Sequence, residues 1–243
     1  MPLDLARIEK KAISESVAEQ LRMAILRGEV AVGERLPPER QLAPRFGTNR
    51  NTLREAIRSL EAQGLVTVRQ GDGVRVADFR NKGQLSLLPD MLKVASRAER
   101  NDMLRDLLWM RRRMAVEVAR MAAERATEES VAELHRLLAK QRSHEGDLLL
   151  MLQTDLELYR AMVGSAFSVI ARLLFRTMAE LSRACLEQVP AFVFVHPDYM
   201  VNMTAVVTAI AEGQASVAAD RLDSMLETTD RTLLARLEAF PEM

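Results

Sequence analysis

Apolar residues recur three and four positions apart through most of the 243-residue chain, and this helical rhythm gives way to alternation only between Leu65 and Val76. Leu42 and Phe46 stand four apart after Pro37 and Pro38, which suit a first helical turn where a backbone N–H has no partner. Gly47 predicts the end of that short helix. Asn49 is a good N-cap, and Leu53, Ile57 and Leu60 then predict a second helix one tight turn later. Two helices joined by a Gly-containing turn form a helix-turn-helix. After Gly64 the runs LVTVR and VRV flank Gln70-Gly71-Asp72-Gly73, which predicts a β-hairpin. Leu36 to Val76 therefore read as a winged helix-turn-helix.

Beyond about Ala77 helical periodicity takes over. The polar DFRNKGQ stretch predicts a linker, placed at 77–84, between a DNA-binding domain over 1–76 and a helical domain over 85–243. Six or seven helices are expected there, at about 84–96, 100–125, 128–142, 146–164, 167–188, 197–212 and 214–238. Thr127-Glu128-Glu129 and Gln214-Ala215-Ser216 look like helix starts, and Gly213 like a stop. The fold class is mainly α, a winged helix-turn-helix followed by an all-helical bundle with room for a ligand between helices.

Composition adjusts this picture only slightly. The chain holds 34 Lys+Arg against 34 Asp+Glu, a formal net charge of zero, which argues at first against a nucleic-acid partner. Residues 1–76 carry 13 Lys+Arg against 10 Asp+Glu, so this part is net +3 and the remainder −3. More telling is placement: Arg50, Arg54 and Arg58 follow one another at i, i+4 and i+8, away from the apolar stripe. An arginine stripe alone is compatible with a solvated face. Turn, cap, stripe and hairpin in this order point to major-groove recognition of double-stranded DNA.

No apolar run approaches the length needed to span a bilayer and no signal peptide opens the chain, so a cytoplasmic protein without membrane association is expected. The single cysteine, Cys185, reads as a small buried hydrophobe. No nucleophile–base pair, metal site or phosphate loop is visible, and Gly71-Asp72-Gly73 belongs to the hairpin, so an enzyme is not expected.

Residues 13 to 76 resemble the DNA-binding domain of the GntR family of bacterial transcription regulators, through LRMAILRGEV, GERLPPERQLA, LREAIRSLEAQGLV and RQGDGVRV. The resemblance implies that Arg40, Arg50 and Arg54 contact bases or phosphates. It further implies that Asn49, Asn51 and Thr52 act at the start of the recognition helix and that Gln70 and Gly71 form the wing tip. Asn49 stands where Ser or Thr is usual, and Pro44 predicts that the first helix of the motif ends early or kinks.

The helical part resembles the effector-binding domain of the FadR-type branch, through RRRMAVEVARMAAERATEESVAEL, TDLELYRAMVGSAFSVIARLLF and VVTAIAEGQASVAADRLDSMLE. Many members of that branch bind a divalent metal through one aspartate and three histidines. Here Asp155 matches the aspartate, but Tyr159, Met203 and Met225 stand at the histidine positions. His135, His144 and His196 lie elsewhere and are expected at the surface or at helix ends. Thioethers are poor ligands for zinc, nickel or manganese, so no metal and no cofactor is expected. The methionines are compatible with plain core packing or with an adaptable pocket for a hydrophobic acid or acyl compound, with Arg111 facing its carboxylate or phosphate. The resulting expectation is a homodimeric, ligand-responsive regulator, a repressor of a pseudo-palindromic operator. The alternative is a constitutive DNA-binding scaffold without an effector.

Overall fold

The computed structural model describes residues 10–186 and 195–239. The chain forms two compact units that divide between Ala95 and Ser96.

In the first unit, α1 (Lys10–Leu26) buries Val17, Ala18, Leu21 and Ile25 in one core with α2 (Glu39–Arg45) and α3 (Arg50–Ala62). Pro38 precedes α2 as its N-cap, so the two prolines stand ahead of the helix rather than within its first turn. Pro44 lies inside α2 and the helix ends one residue later, as its missing N–H predicts. The stop is a two-bond cap: Gly47 N–H donates to the Pro44 carbonyl at 3.1 Å, and Thr48 N–H to that of Ala43 at 3.0 Å. This geometry needs the φ of +58° that Gly47 adopts without strain. Strand β1 (Val66–Arg69) pairs antiparallel with β2 (Gly73–Val76), Val66 opposite Val76 and Arg69 opposite Gly73. Glu61 of α3 accepts from the Val68 N–H at 2.9 Å and ties the hairpin to the helix.

The segment expected as a linker is folded against this unit. Residues Phe79–Lys82 form α4, followed by a 3₁₀ turn over Leu85–Leu87 and α5 (Leu88–Val94), which replace the single helix expected at 84–96. Pro89 fits the first turn of α5. Leu87 joins the core of the first unit, Gln84 N–H donates to the Gln63 carbonyl at 3.1 Å, and Arg22 of α1 pairs with Asp90 at 2.9 Å. Burial works against ionisation of Asp90, but Lys93 and Arg22 outweigh it and hold the carboxyl below its usual range.

The second unit is all helical: α6 (Arg97–Arg125), α7 (Glu128–Arg142), α8 (Leu148–Ser165), α9 (Val169–Leu186), α10 (Tyr199–Ala211) and α11 (Ala215–Ala239). Helix α6 begins three residues before the predicted 100 because Ser96 and Glu99 form a reciprocal capping box. Thr127 caps α7, and Gly213 lies between α10 and α11, as their sequences suggest. Long apolar stripes meet in one core through Ala119, Leu134, Leu158, Met203, Val206 and Leu222. In the usual range of about 25 cal/mol per Å², burial of these stripes is the main stabilising contribution.

Candidate DNA-reading surface and helical-domain site

Amphipathicity decides what α3 presents. Leu53, Ala56, Ile57 and Leu60 are buried, whereas Arg50, Asn51, Arg54 and Arg58 are exposed on the other side. The helix starts at Arg50 because the Asn49 side chain caps it, accepting from the Thr52 N–H at 3.0 Å. Thr52 differs from its expected role. It is only 2% exposed, and its hydroxyl donates to Asn49 Oδ1 at 3.3 Å, so it supports the helix start rather than facing solvent. Its period explains this: Thr52 falls on the same stripe as Ala56.

Arg40 is exposed on α2, and Gln70 and Gly71 are exposed at the hairpin turn. Two acidic residues that the sequence did not single out organise the cations around them. Glu39 accepts from Arg54 Nε through both carboxylate oxygens, at 3.1 and 2.9 Å. At the wing, Asp72 pairs with Arg35 and, at 2.7 Å, with Arg75, whose Nη1 also donates to the Gly33 carbonyl at 2.8 Å. Fifteen positions separate Glu39 from Arg54 and 37 separate Arg35 from Asp72, separations that no local spacing rule reveals.

In the helical unit, Arg111, Asp155 and Tyr159 lie within electrostatic reach of one another, while Met203 and Met225 are buried in the core against which Tyr159 packs. Asp155 accepts a hydrogen bond from the Tyr199 hydroxyl, which accepts from Gln141 Nε2 at 3.2 Å. Arg111 forms an ion pair with Asp230 of α11, and its Nε is buried with no hydrogen-bond partner among the described residues. Burial pushes the Asp155 carboxyl up to about 6 against the opposing pull of Tyr199, Arg111 and Gln141. Burial and the neighbouring Asp155 raise the Tyr159 phenol, which keeps it a neutral donor, and burial also raises Asp230 against the pull of Arg111. Tyr199, Gln141 and Asp230 are thus central to a cluster for which sequence reasoning supplied only Arg111, Asp155, Tyr159 and the two methionines. Gln141, 1% exposed among the buried leucines of α7, marks an apolar helix face that carries a polar group.

This donor set does not fit a hard divalent metal. It offers one carboxylate already bonded by a phenol, a second phenol that stays protonated, and two thioethers. Among the described residues no three His, Cys, Asp or Glu side chains converge in a way that could hold an ion. His135 is exposed, His144 Nδ1 lies 2.9 Å from the Thr154 hydroxyl, and His196 lies beside Asp198. Cys185 is buried, and burial pushes its thiol up to about 11. A depression lined by Glu133, Arg136, Glu157 and Arg160 shares no residue with the Asp155 cluster.

Comparison with known proteins identifies both units. A family profile described as bacterial regulatory proteins of the gntR family matches residues 13–76, and an FCD domain profile matches residues 106–228. The chain belongs to the GntR family. This GntR regulator is 34% identical over 236 residues to the HTH-type transcriptional regulator Mce2R of Mycobacterium tuberculosis, with 96% of each chain covered. It is 31% identical over 159 residues to the HTH-type transcriptional repressor NanR of Edwardsiella tarda, covering 64% of this chain and 59% of NanR. Lar, whose structure is described as controlling expression of the Listeria monocytogenes agr system, shares the fold with a TM-score of 0.57 at 18% identity, covering 95% of this chain and 98% of that one. The GntR regulator is therefore a DNA-binding transcription regulator with an FCD effector-binding domain, and its families are those of regulators, not enzymes. Among the described residues no helix is long and apolar enough to cross a membrane.

Proposed function

We propose that this GntR regulator is a homodimeric repressor of a pseudo-palindromic operator, released when a small acid enters the helical unit. The observation that carries the reading is the α3 face, where Arg50, Arg54 and Arg58 stand exposed opposite the buried stripe of Leu53, Ala56, Ile57 and Leu60. Arg50 and Arg54 read guanine edges in the major groove. Asn49, Asn51 and Arg40 hold phosphate or flanking bases, and Gln70 with Gly71 enters the adjacent minor groove. A symmetric dimer reads two such half-sites in one register. The repressor role is supported by the name of its NanR relative. Arg50→Ala and Arg54→Ala are each expected to weaken binding to an operator selected by the wild-type protein by about 1–3 kcal/mol. Unchanged affinity and base preference in both variants overturn the assignment.

On the input side the reading is a metal-free site in which Arg111 anchors the carboxylate or phosphate of a hydrophobic acid or acyl compound, beside Asp155, Tyr159, Met203 and Met225. Ligand binding shifts the population between dimer arrangements that do and do not match the half-site spacing. A ligand that binds only the folded state raises the melting temperature. Thermal-shift measurement against fatty acids, acyl-CoAs and small organic acids is expected to show a stabilising compound whose effect Arg111→Met abolishes. The second reading, a constitutive scaffold, is favoured by the full burial of Met203, which leaves that position already packed. It predicts no shift with any member of the panel.

A further inference from the structure

The hairpin has two faces of opposite character. Residues paired across it share a face, so Val66 and Val76 lie on one side with Val74, and Thr67, Arg69 and Arg75 lie on the other. Val66 and Val76 are buried and Val74 packs on the core of the first unit, which leaves the arginine side facing away from that core. A third piece of chain extends the sheet. Arg35 bridges Arg75 in antiparallel fashion, with the Leu36 N–H donating to the Val74 carbonyl at 2.9 Å and the Val76 N–H to that of Glu34 at 2.9 Å. Arg35 therefore joins the face of Arg75, while its neighbour Leu36 enters the core. Three arginines from three segments, with Asp72 among them, leave this flank of the wing net +2.

Asp72 holds two of these cations in different ways. Arg75 is fully engaged: its Nε and Nη2 donate to Asp72 at 2.7 and 3.2 Å and its Nη1 to the Gly33 carbonyl at 2.8 Å, which straps the hairpin to the segment before α2. Arg35 gives Asp72 only Nη2, and its side chain is 56% exposed. A guanidinium carries five N–H donors in a planar fork that matches a phosphate, so this single bond leaves most of its capacity unused. An ion pair so exposed is weak, and a phosphate displaces the carboxylate at little cost. After such an exchange Asp72 keeps Arg75 as its partner, so no charge is stranded.

We propose that Arg35 grips a backbone phosphate of the operator and that Asp72 is the counter-ion it exchanges for that phosphate. The flank is continuous with the DNA-reading surface: Asp72 shares the hairpin turn with Gln70 and Gly71, and the bond from the Val68 N–H to Glu61 fixes the hairpin to α3. Its charge is complementary to the polyanion that a DNA-binding regulator meets there. A phosphate contact carries no base information, so Arg35 sets the firmness and register of the wing while α3 reads sequence. Neither Arg35 nor Asp72 belongs to the helix-turn-helix or to Gln70 and Gly71 at the tip; the strand pairing alone brings them to one place.

The inference rests on α3 as the reading helix, and the test separates the two. Fluorescence anisotropy across a salt series compares an operator selected by the wild-type protein with random-sequence duplex. Arg35→Gln is expected to weaken binding to both equally, by about 10-fold, and to lower the slope of log affinity against log salt by about one for each winged unit bound. Asp72→Asn removes the competing carboxylate and is expected to strengthen binding to both and to steepen the slope. Methylphosphonate substitution of the operator, one phosphate at a time, locates the contact without altering the protein. One neutralised phosphate per half-site is expected to weaken the wild type about 10-fold and to leave Arg35→Gln unaffected. Wild-type affinity and slope in Arg35→Gln overturn the proposal, as does a scan in which every phosphate affects both proteins alike, since Arg35 then only supports the wing. An Asp72→Asn chain that binds more weakly overturns the exchange. Arg50→Ala is the control for α3: if it retains the base preference, the α3 reading falls, whereas the assignment of Arg35 still stands or falls on the methylphosphonate scan.

Discussion

Asp155 accepts its hydrogen bond from Tyr199 inside the helical bundle, and burial raises its carboxyl to about 6. The native state therefore takes up a proton more readily than the unfolded chain, whose carboxyl titrates near 4. The contribution of Asp155 to stability is greatest below about pH 4, falls as the pH rises through the window to about 6, and is lower above it by about 3 kcal/mol. Asp155→Asn keeps an oxygen that accepts from Tyr199 and removes the ionisation. Urea unfolding is expected to show the variant more stable than wild type at pH 7.5 and close to it at pH 4.5; equal differences at both values would rule out a buried, titrating Asp155. In the winged unit the corresponding acidic control is Glu39, which grips Nε of Arg54 while the Arg54 side chain stays largely exposed. Glu39→Ala frees that guanidinium and removes one negative charge. On the proposed reading, in which Arg54 contacts a base, it is expected to relax base preference at that position by about 1 kcal/mol, while binding to random-sequence duplex strengthens. Competition binding with single-base operator variants checks this, and an unaltered preference pattern speaks against positioning by Glu39.

Helix boundaries were legible wherever a short-range cap set them: Asn49 before α3, Thr127 before α7 and Gly213 after α10 all read directly from the chain. What was not legible is where a polar segment settles. DFRNKGQ has the composition of a linker, yet α4 rests on Gly64, where an added Cβ lies 2.3 Å from the Lys82 carbonyl oxygen. That contact depends on a glycine whose φ is +78°, and nothing in local composition marks it as a packing site. The Asp155 cluster was half visible for a related reason: Asp155 and Tyr159 share one helix, while Gln141, Tyr199 and Asp230 arrive from α7, α10 and α11. Gly64→Ala combines backbone strain with a clash against backbone and is expected to destabilise the winged unit by more than about 2 kcal/mol, read as a lower urea midpoint. Asn49→Ala removes one cap and leaves the Thr52 hydroxyl without its acceptor, for an expected loss of about 1 kcal/mol. A Gly64→Ala chain as stable as wild type contradicts the packing of α4 on the hairpin's base.

The molecule as a whole is electrically neutral, and its cations reach DNA through placement rather than excess: residues 1–76 are net +3 and the rest net −3. One winged unit with so small a surplus holds DNA weakly, since sequence-independent affinity follows the number of phosphates neutralised. In the homodimer proposed above, tight operator binding depends on two units acting together. Joining them converts the second half-site contact into an intramolecular step, worth 10²- to 10⁴-fold when the spacing fits. The affinity of the wild type for a duplex carrying a single half-site is therefore expected to lie at least about 100-fold below that for the full operator, and the slope of log affinity against log salt to fall by about half, because one unit releases half the counterions. Fluorescence anisotropy across 50–300 mM salt measures both quantities. Equal affinity and equal slope for the two duplexes would mean that one unit suffices and would overturn the homodimeric reading.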